Sequence, residues 1–225
     1  MLGFSRSPPL PELPVRWWCC WDRIVATDEQ KIRCRKGCSM NLIVAMTGAS
    51  GALATKLLIE KSQWPVTLVA SKMGRVVYEQ EVGAFTELEA LASTVWKDGD
   101  LTATIASGSV PTVGMVILPC SANTLGKVGA GIADSLVTRA AHCQLKEGRK
   151  VVLCVREAPW TLMNTQSAAT VAAAGGIIMP ISPPFYMTQG RNPDEVSLTE
   201  LLGHYVDHVL SLFGQEAPST WADVR

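Results

Sequence analysis

The sequence has no excess of charge of either sign, because its 20 basic residues are balanced by 20 acidic ones. Proteins that bind nucleic acid or an anionic membrane surface through bulk electrostatics carry a basic excess, so we expect neither partner. The sequence also has no apolar run close to the roughly 20 residues of a membrane-spanning helix. Residues 1–20 lack the continuous apolar core of a secretory signal. These absences favour a protein that binds a small molecule.

Cysteine is present, but the seven cysteines lack the even, regular spacing of a disulfide-stabilised secreted domain. We therefore expect a reducing compartment and predict a cytoplasmic protein. Four cysteines near the N-terminus match the spacing of no common zinc module, so we predict no metal site. They are Cys19, Cys20, Cys34 and Cys38.

Residues 1–39 differ in composition from the rest of the chain and show neither a helical nor a strand period. Their arginines allow a mitochondrial transit peptide, and an upstream extension before Met40 is the alternative. Transit peptides are poor in acidic residues. This segment contains four: Glu12, Asp22, Asp28 and Glu29. We favour a poorly ordered extension over 1–39, then one domain over 40–214 and a tail over 215–225.

From Asn41 onward, short apolar runs alternate with segments of helical pattern. The predicted strands cover 42–46, 66–70, 115–118, 151–155 and 177–179. The predicted helices cover about 52–62, 72–82, 86–95, 122–129, 134–147, 166–174 and 195–213. Apolar strands that alternate with helices form βαβ units in a parallel sheet covered on both faces. We therefore predict a doubly wound α/β fold.

Polar residues follow the predicted strands at their carboxyl ends, which is where ligands bind in open α/β sheets. The residues that stand there are Ser50, Ser71, Ser121, Arg156 and Glu157. The turn of residues 48–51 (Gly-Ala-Ser-Gly) would let backbone N–H groups approach an anion, but it equally suits a tight turn without a ligand. The turn lacks the full G-x-G-x-x-G pattern, so a dinucleotide is not indicated.

Among the charged residues, Glu157 is the best candidate for an acid or base, because a carboxylate at the ligand edge of the sheet is placed for proton transfer. Glu81 is a weaker candidate, since a glutamate on a helix surface is usually only solvated. Arg139 and Lys146 lie seven residues apart on one predicted helix and hence on one face. The histidines follow no strand, which gives little support to a histidine-activated nucleophile. Cys120 has the apolar setting of an inert thiol.

Eight segments, in their order along the chain, resemble the UbiX/Pad family of flavin prenyltransferases within the flavin-containing cysteine decarboxylase superfamily. They are 47–52 (TGASGA), 71–72 (SK), 107–109 (SGS), 114–121 (GMVILPCS), 139–141 (RAA), 145–147 (LKE), 155–159 (VREAP) and 184–186 (PFY). Each segment alone is a weak signal, whereas the ordered set is specific and spans nearly all of residues 40–214.

The resemblance implies a flavodoxin-like parallel sheet and a homo-oligomer, expected to be a dodecamer. It implies an enzyme that joins a dimethylallyl group from dimethylallyl phosphate to reduced FMN, first at N5 and then at C6 of the flavin, without a metal. The product, prenylated FMN, would serve a UbiD-type decarboxylase.

The resemblance also implies roles for individual residues. The FMN-binding residues would be Gly48, Ala49, Ser50, Ser71, Ser121, Ala122, Asn123, Thr124 and Arg156. Glu157 would be the acid/base group, assisted by Ser50 and Glu81. The residues that hold the prenyl phosphate would be Arg139, Lys146, Tyr186 and His208. Fixed positive charge there would stabilise the departing phosphate, so Lys146 also counts as catalytic.

Three departures from the family pattern bear on the phosphate end of the site. Residues 164–168 (NTQSA) stand in place of a His-Leu-x-x-Met stretch, and His142 stands in place of an aspartate. His208 stands in place of a late arginine or lysine. A neutral histidine binds phosphate less strongly than arginine does.

Two other functions stay open. A cysteine decarboxylase of the same superfamily relies on a histidine early in the domain, whereas the first histidine here is His142. A flavin-binding regulatory subunit without turnover is the second alternative, and the three departures allow it. The presence of Glu157, Lys146 and Tyr186 favours the enzyme.

Overall fold

The structure is a computed structural model, and it describes residues 40–218, Thr220 and Ala222. The predictions for residues 1–39, including the four cysteines considered for zinc, lie outside the described residues. Gln215, at the predicted start of the tail, packs on the domain by hydrogen bonding to the backbone of Lys61 and Gln63. The boundaries of the domain stay a prediction.

The described residues form six strands and seven α-helices. The strands are β1 (Leu42–Met46), β2 (Val66–Ala70), β3 (Thr94–Lys97), β4 (Gly114–Cys120), β5 (Val151–Val155) and β6 (Ile177–Ile178). The helices are α1 (Ala52–Lys61), α2 (Lys72–Glu81), α3 (Phe85–Leu91), α4 (Ala122–Gly129), α5 (Leu136–Lys146), α6 (Leu162–Ala173) and α7 (Leu198–Ser211). None of these described helices combines the length and the apolarity that crossing a membrane requires.

All six strands are parallel and lie in the order β3-β2-β1-β4-β5-β6. In the centre, Val44 of β1 pairs with Leu68 of β2 on one side and with Val116 of β4 on the other. The chain builds outward from β1 to β3 and then returns to the other side of β1. The strand order therefore reverses between β1 and β4, which is where such sheets bind ligands. The predicted flavodoxin-like sheet is confirmed.

The prediction of one helix over 86–95 is wrong at its end. Helix α3 stops at Leu91, and Thr94–Lys97 forms the edge strand β3 beside β2. Val95 and Trp96 are residues that favour strands, and pairing with β2 outweighs the helical pattern that precedes them.

Two helices also begin elsewhere than predicted. Helix α6 begins at Leu162 rather than at 166, because Thr161 and Asn164 form a capping box there. Helix α7 begins at Leu198 rather than at 195, because Ser197 accepts a hydrogen bond from a backbone N–H of its first turn.

The sheet divides the core into two layers. In β1, the side chains of Leu42, Val44 and Met46 pack with α1 and α7, whereas Ile43 and Ala45 pack with α4 and α5. All five are fully buried. Because both faces of the strand are covered, its sequence is apolar throughout instead of alternating. The helices leave the carboxyl ends of the strands free to form a site.

Candidate functional site

Thr47 joins the loops that follow β1 and β4 at the switch point of the sheet. It is 3% exposed. Its Oγ1 donates a hydrogen bond to the Pro119 carbonyl oxygen and accepts one from the Ser121 backbone N–H, both at 2.9 Å. A buried hydroxyl bound on both sides fixes the two loops relative to each other. Sequence reasoning gave Thr47 no role, although a threonine directly after a buried strand is a usable signal.

Two glycines allow the loop after β1 to lie against the start of α2. A Cβ atom at Gly48 would come within 2.6 Å of the Met73 Cβ. A Cβ atom at Gly74 would come within 2.7 Å of the Met46 carbonyl oxygen. Side chains at these positions would force the two segments apart. The glycines therefore shape one wall of the site.

A cleft of about 360 Å³ opens between the loops after β1, β2 and β4. It brings together five residues predicted to bind FMN: Gly48, Ser71, Ser121, Asn123 and Thr124. Ser71 and Ser121 also cap α2 and α4, since their hydroxyls accept hydrogen bonds from the N–H groups of Gly74 and Thr124 at 3.0 and 3.3 Å. The other predicted FMN-binding residues lie outside the lining of this cleft: Ala49, Ser50, Ala122 and Arg156.

Three charged residues that sequence reasoning missed also line the cleft: Lys72, Asp98 and Lys127. Lys127 forms an ion pair with Asp134 at 2.7 Å, and this hydrogen bond is the main cause of the lowered pKa of Asp134. Asp98 accepts a hydrogen bond from the Val137 N–H at 2.9 Å and so holds the start of α5 at the cleft. Lys72 comes two residues after β2, so its position was a usable signal.

Glu81, predicted to assist catalysis, lies at the end of α2 and contacts the start of α1. Its Oε2 accepts hydrogen bonds from the backbone N–H groups of Gly51 and Ala52, both at 2.8 Å. Gly51 occupies the N-cap position of α1 and offers no side-chain cap, so Glu81 supplies one. The carboxylate thus binds the Gly51 N–H, which belongs to the turn that was expected to approach an anion.

Arg156 and Glu157 follow β5, and both side chains are exposed. The Arg156 N–H donates to the Cys120 carbonyl oxygen at 3.0 Å, which holds this loop beside the loop after β4. Glu157 accepts a hydrogen bond on Oε1 from the Ala158 N–H at 3.0 Å, and its carbonyl oxygen accepts one from Trp160 Nε1 at 3.0 Å. The Glu157 carboxylate is thus presented at the same edge of the sheet as the cleft.

Arg139 and Lys146 share helix α5 as predicted, but only the start of α5 lies at the cleft. The helix then leads back to the amino end of β5, so Lys146 in its last turn lies at the opposite edge of the sheet. Arg139 Nε donates to the Ala106 carbonyl oxygen at 3.1 Å, and Lys146 pairs with Glu147 at 2.7 Å. A single chain therefore does not bring Lys146 to Glu157.

Tyr186 and His208 lie beside the same cavity. The cavity has a volume of about 160 Å³ and lies between helix α7 and a 3₁₀ turn at Phe185–Thr188. Asp207, beside His208, is 8% exposed and forms an ion pair with Lys61 at 2.8 Å. The shared cavity fits a common role for Tyr186 and His208, and that role at the prenyl phosphate stays a prediction.

Cys120 is fully buried, and burial raises the pKa of its thiol far above the ordinary range. The predicted apolar setting of Cys120 is confirmed, and a thiol that stays protonated is a poor nucleophile. In the part of the chain that the structure describes, no group of three or more His, Cys, Asp or Glu residues is placed to hold a metal ion.

The sequence is similar to known flavoproteins. Residues 32–182 match the family model described as Flavoprotein. The flavin prenyltransferase UbiX of Deinococcus radiodurans is 43% identical over 181 residues, which cover 79% of this chain and 90% of the relative. The flavin prenyltransferase UbiX of Escherichia coli K12 is 38% identical over 182 residues, which cover 79% of this chain and 93% of the relative.

Two solved structures are also similar. AnUbiX, in complex with FMN and dimethylallyl pyrophosphate, has a TM-score of 0.76 at 32% identity, with 82% of this chain and 98% of that chain covered. A dodecameric FMN-dependent UbiX-like decarboxylase from Escherichia coli O157:H7 has a TM-score of 0.74 at 37% identity, with 80% and 98% covered. The chain belongs to the flavoprotein family and, within it, to the UbiX flavin prenyltransferases.

Proposed function

We propose that the protein joins a dimethylallyl group from dimethylallyl phosphate to reduced FMN, and that the prenylated FMN serves a UbiD-type decarboxylase. The observation that carries the proposal is the cleft at the switch point, where Gly48, Ser71 and Ser121 converge beside the loop of Glu157. The complex of AnUbiX with FMN and dimethylallyl pyrophosphate supports the choice of both substrates.

The residues of the cleft fit FMN. Ser121, Asn123 and Thr124 offer hydroxyl and amide groups that can donate to and accept from a flavin and its ribityl chain. Lys72 offers positive charge for the phosphate of FMN, whereas Lys127 is already paired with Asp134. When bound, reduced FMN supplies the nucleophile, and these residues hold it in a fixed orientation.

Glu157 is the acid/base group of the proposal. Its Oε1 accepts a hydrogen bond from the N–H group of the neighbouring Ala158. Oε2 is then available to take up a proton from the flavin or to give one to the leaving phosphate. Ser50 and Glu81 lie at the start of α1 on the same edge of the sheet, which supports their assisting role.

Arg139 and Lys146 require a neighbouring subunit in this proposal. Positive charge on both residues would stabilise the leaving phosphate, but in one chain α5 carries Lys146 away from the cleft. The dodecameric relative supports assembly of this chain into a homo-oligomer. We therefore place Arg139 and Lys146 of one copy against the prenyl phosphate held by Tyr186 and His208 of the next.

Anaerobic incubation of the purified protein with reduced FMN and dimethylallyl phosphate tests the proposal, with mass spectrometry of the released flavin. We expect a flavin heavier by one five-carbon prenyl unit. The released flavin should also restore decarboxylation when it is added to a UbiD-type enzyme prepared without its cofactor. The incubation is repeated with dimethylallyl pyrophosphate as the donor. Recovery of bound but unmodified FMN with both donors would favour a flavin-binding subunit without turnover.

A further inference from the structure

Helix α5 carries three nitrogen-bearing side chains on one face. Arg139, His142 and Lys146 are spaced by three and then four residues, which aligns them along one stripe of the helix. Arg139 and Lys146 are exposed, and His142 is partly buried. The opposite face of the helix, which includes Val137 and Ala141, is buried in the core. The stripe is therefore the outward surface of α5.

The imidazole of His142 has an unsatisfied nitrogen. Its Nε2 is buried and has no hydrogen-bond partner in the described part of the chain. A buried polar atom without a partner costs free energy, so the site favours an oxygen that supplies one. The ring also lines a cavity, so a ligand that enters this cavity lies next to the imidazole.

His142 and Lys146 line the same cavity, which has a volume of about 390 Å³ and lies between α4, α5 and α6. Thr170 on α6 also lines it, and its hydroxyl donates a hydrogen bond to the Gln166 carbonyl oxygen at 3.0 Å. Within the described lining there is no aspartate or glutamate. Lys146 pairs with Glu147, which lies outside this lining, so an oxyanion that enters the cavity would take the place of that carboxylate beside an ammonium and an imidazole.

We propose that His142 binds the phosphate of the prenyl donor together with Arg139 and Lys146. The inference rests on the function proposed above, in which a neighbouring copy presents this face of α5 to the phosphate. An imidazole N–H can donate to a phosphate oxygen, whereas the aspartate that the resembled family has at this position would repel it. The histidine thus adds a phosphate donor in a chain whose position 208 lacks the late arginine or lysine.

Steady-state kinetics at saturating reduced FMN test this role. We expect His142→Ala to raise the KM for dimethylallyl phosphate about tenfold, as for loss of one hydrogen bond to a charged group. His142→Gln keeps an N–H donor and should stay closer to the wild type. His142→Asp should raise KM further. When His208→Arg is added to His142→Asp, KM should fall back much of the way toward that of the wild type. Lys150→Gln, which removes an exposed cation outside the stripe, is the matched control.

Calorimetric titration of the FMN-loaded protein with dimethylallyl phosphate gives a readout that does not depend on turnover. Weaker binding by His142→Ala, with an unchanged oligomeric mass, supports the proposal. An active wild type whose KM and donor affinity are unchanged by both His142→Ala and His142→Asp would overturn it and leave the proposed function intact. A wild type that binds FMN but neither binds nor uses the donor overturns both.

Discussion

The cap that Glu81 supplies to α1 gives a prediction about stability. Replacing an N-cap acceptor by alanine costs about 0.5–2 kcal/mol, and loss of an anion at a helix N-terminus costs about 0.3–1 kcal/mol. The Glu81 carboxylate serves both purposes, since it accepts from Gly51 and Ala52 at 2.8 Å. Because its side chain is exposed, we expect Glu81→Ala to lower the free energy of unfolding by about 1–2 kcal/mol.

Urea denaturation followed by far-ultraviolet circular dichroism, at one protein concentration, measures this change. Glu79→Ala is the matched control, because Glu79 lies on the same helix, is exposed and should change stability by less than about 0.5 kcal/mol. Glu81→Gln keeps an acceptor and should fall between the two. Equal stability of Glu81→Ala and Glu79→Ala would refute the capping role.

The same substitution also frees an anion site. Without the carboxylate, the N–H groups of Gly51 and Ala52 at the start of α1 can bind inorganic phosphate. We therefore expect phosphate to stabilise Glu81→Ala more than the wild type in the same urea titration. If phosphate stabilises both proteins equally, these N–H groups do not act as the alternative anion site.

Three further predictions concern chemistry, packing and pH. Glu157→Gln should retain FMN but lose turnover by about a hundredfold or more, measured by single-turnover formation of prenylated FMN; equal turnover would remove Glu157 from its role. Thr47→Val should cost about 1–3 kcal/mol in urea unfolding, because the Ser121 N–H loses its partner, whereas Thr47→Ser should be milder. Burial raises the pKa of the Cys154 thiol from 9.0 to about 12. Its contribution to stability is full below pH 9.0 and is lost as the pH rises toward about 12, so Cys154→Ala should show a smaller loss of stability over that range.

The sheet could be predicted from the sequence because its inner strands are buried on both faces. β1 and β5 are unbroken apolar runs, and five polar positions after strands fall at the expected edge. β3 could not be predicted in the same way, because it is a half-exposed edge strand whose pairing depends on β2. Its recognition requires knowledge of the neighbouring strand.

Asp98 was missed for a different reason, because it holds the start of α5 from the end of β3. Glu81 was predicted at the site, but its capping of N–H groups about thirty residues away was not. Such contacts arise only once the helices have packed, so no local pattern indicates them. Helical spacing likewise places Arg139 and Lys146 on one face but contains no information about which site that face meets.

A mixing experiment decides whether the site is shared between subunits. Glu157→Gln and Lys146→Ala should each be nearly inactive alone, because each removes one part of every site. If Glu157 of one copy works with Lys146 of the next, random co-assembly of equal amounts should restore about a quarter of the sites, since each site draws independently on two copies. The two variants are co-expressed with different tags, and mixed oligomers are isolated and assayed. Activity no higher than that of the parents, in oligomers proved to contain both variants, would place Lys146 with Glu157 of its own chain or outside the site.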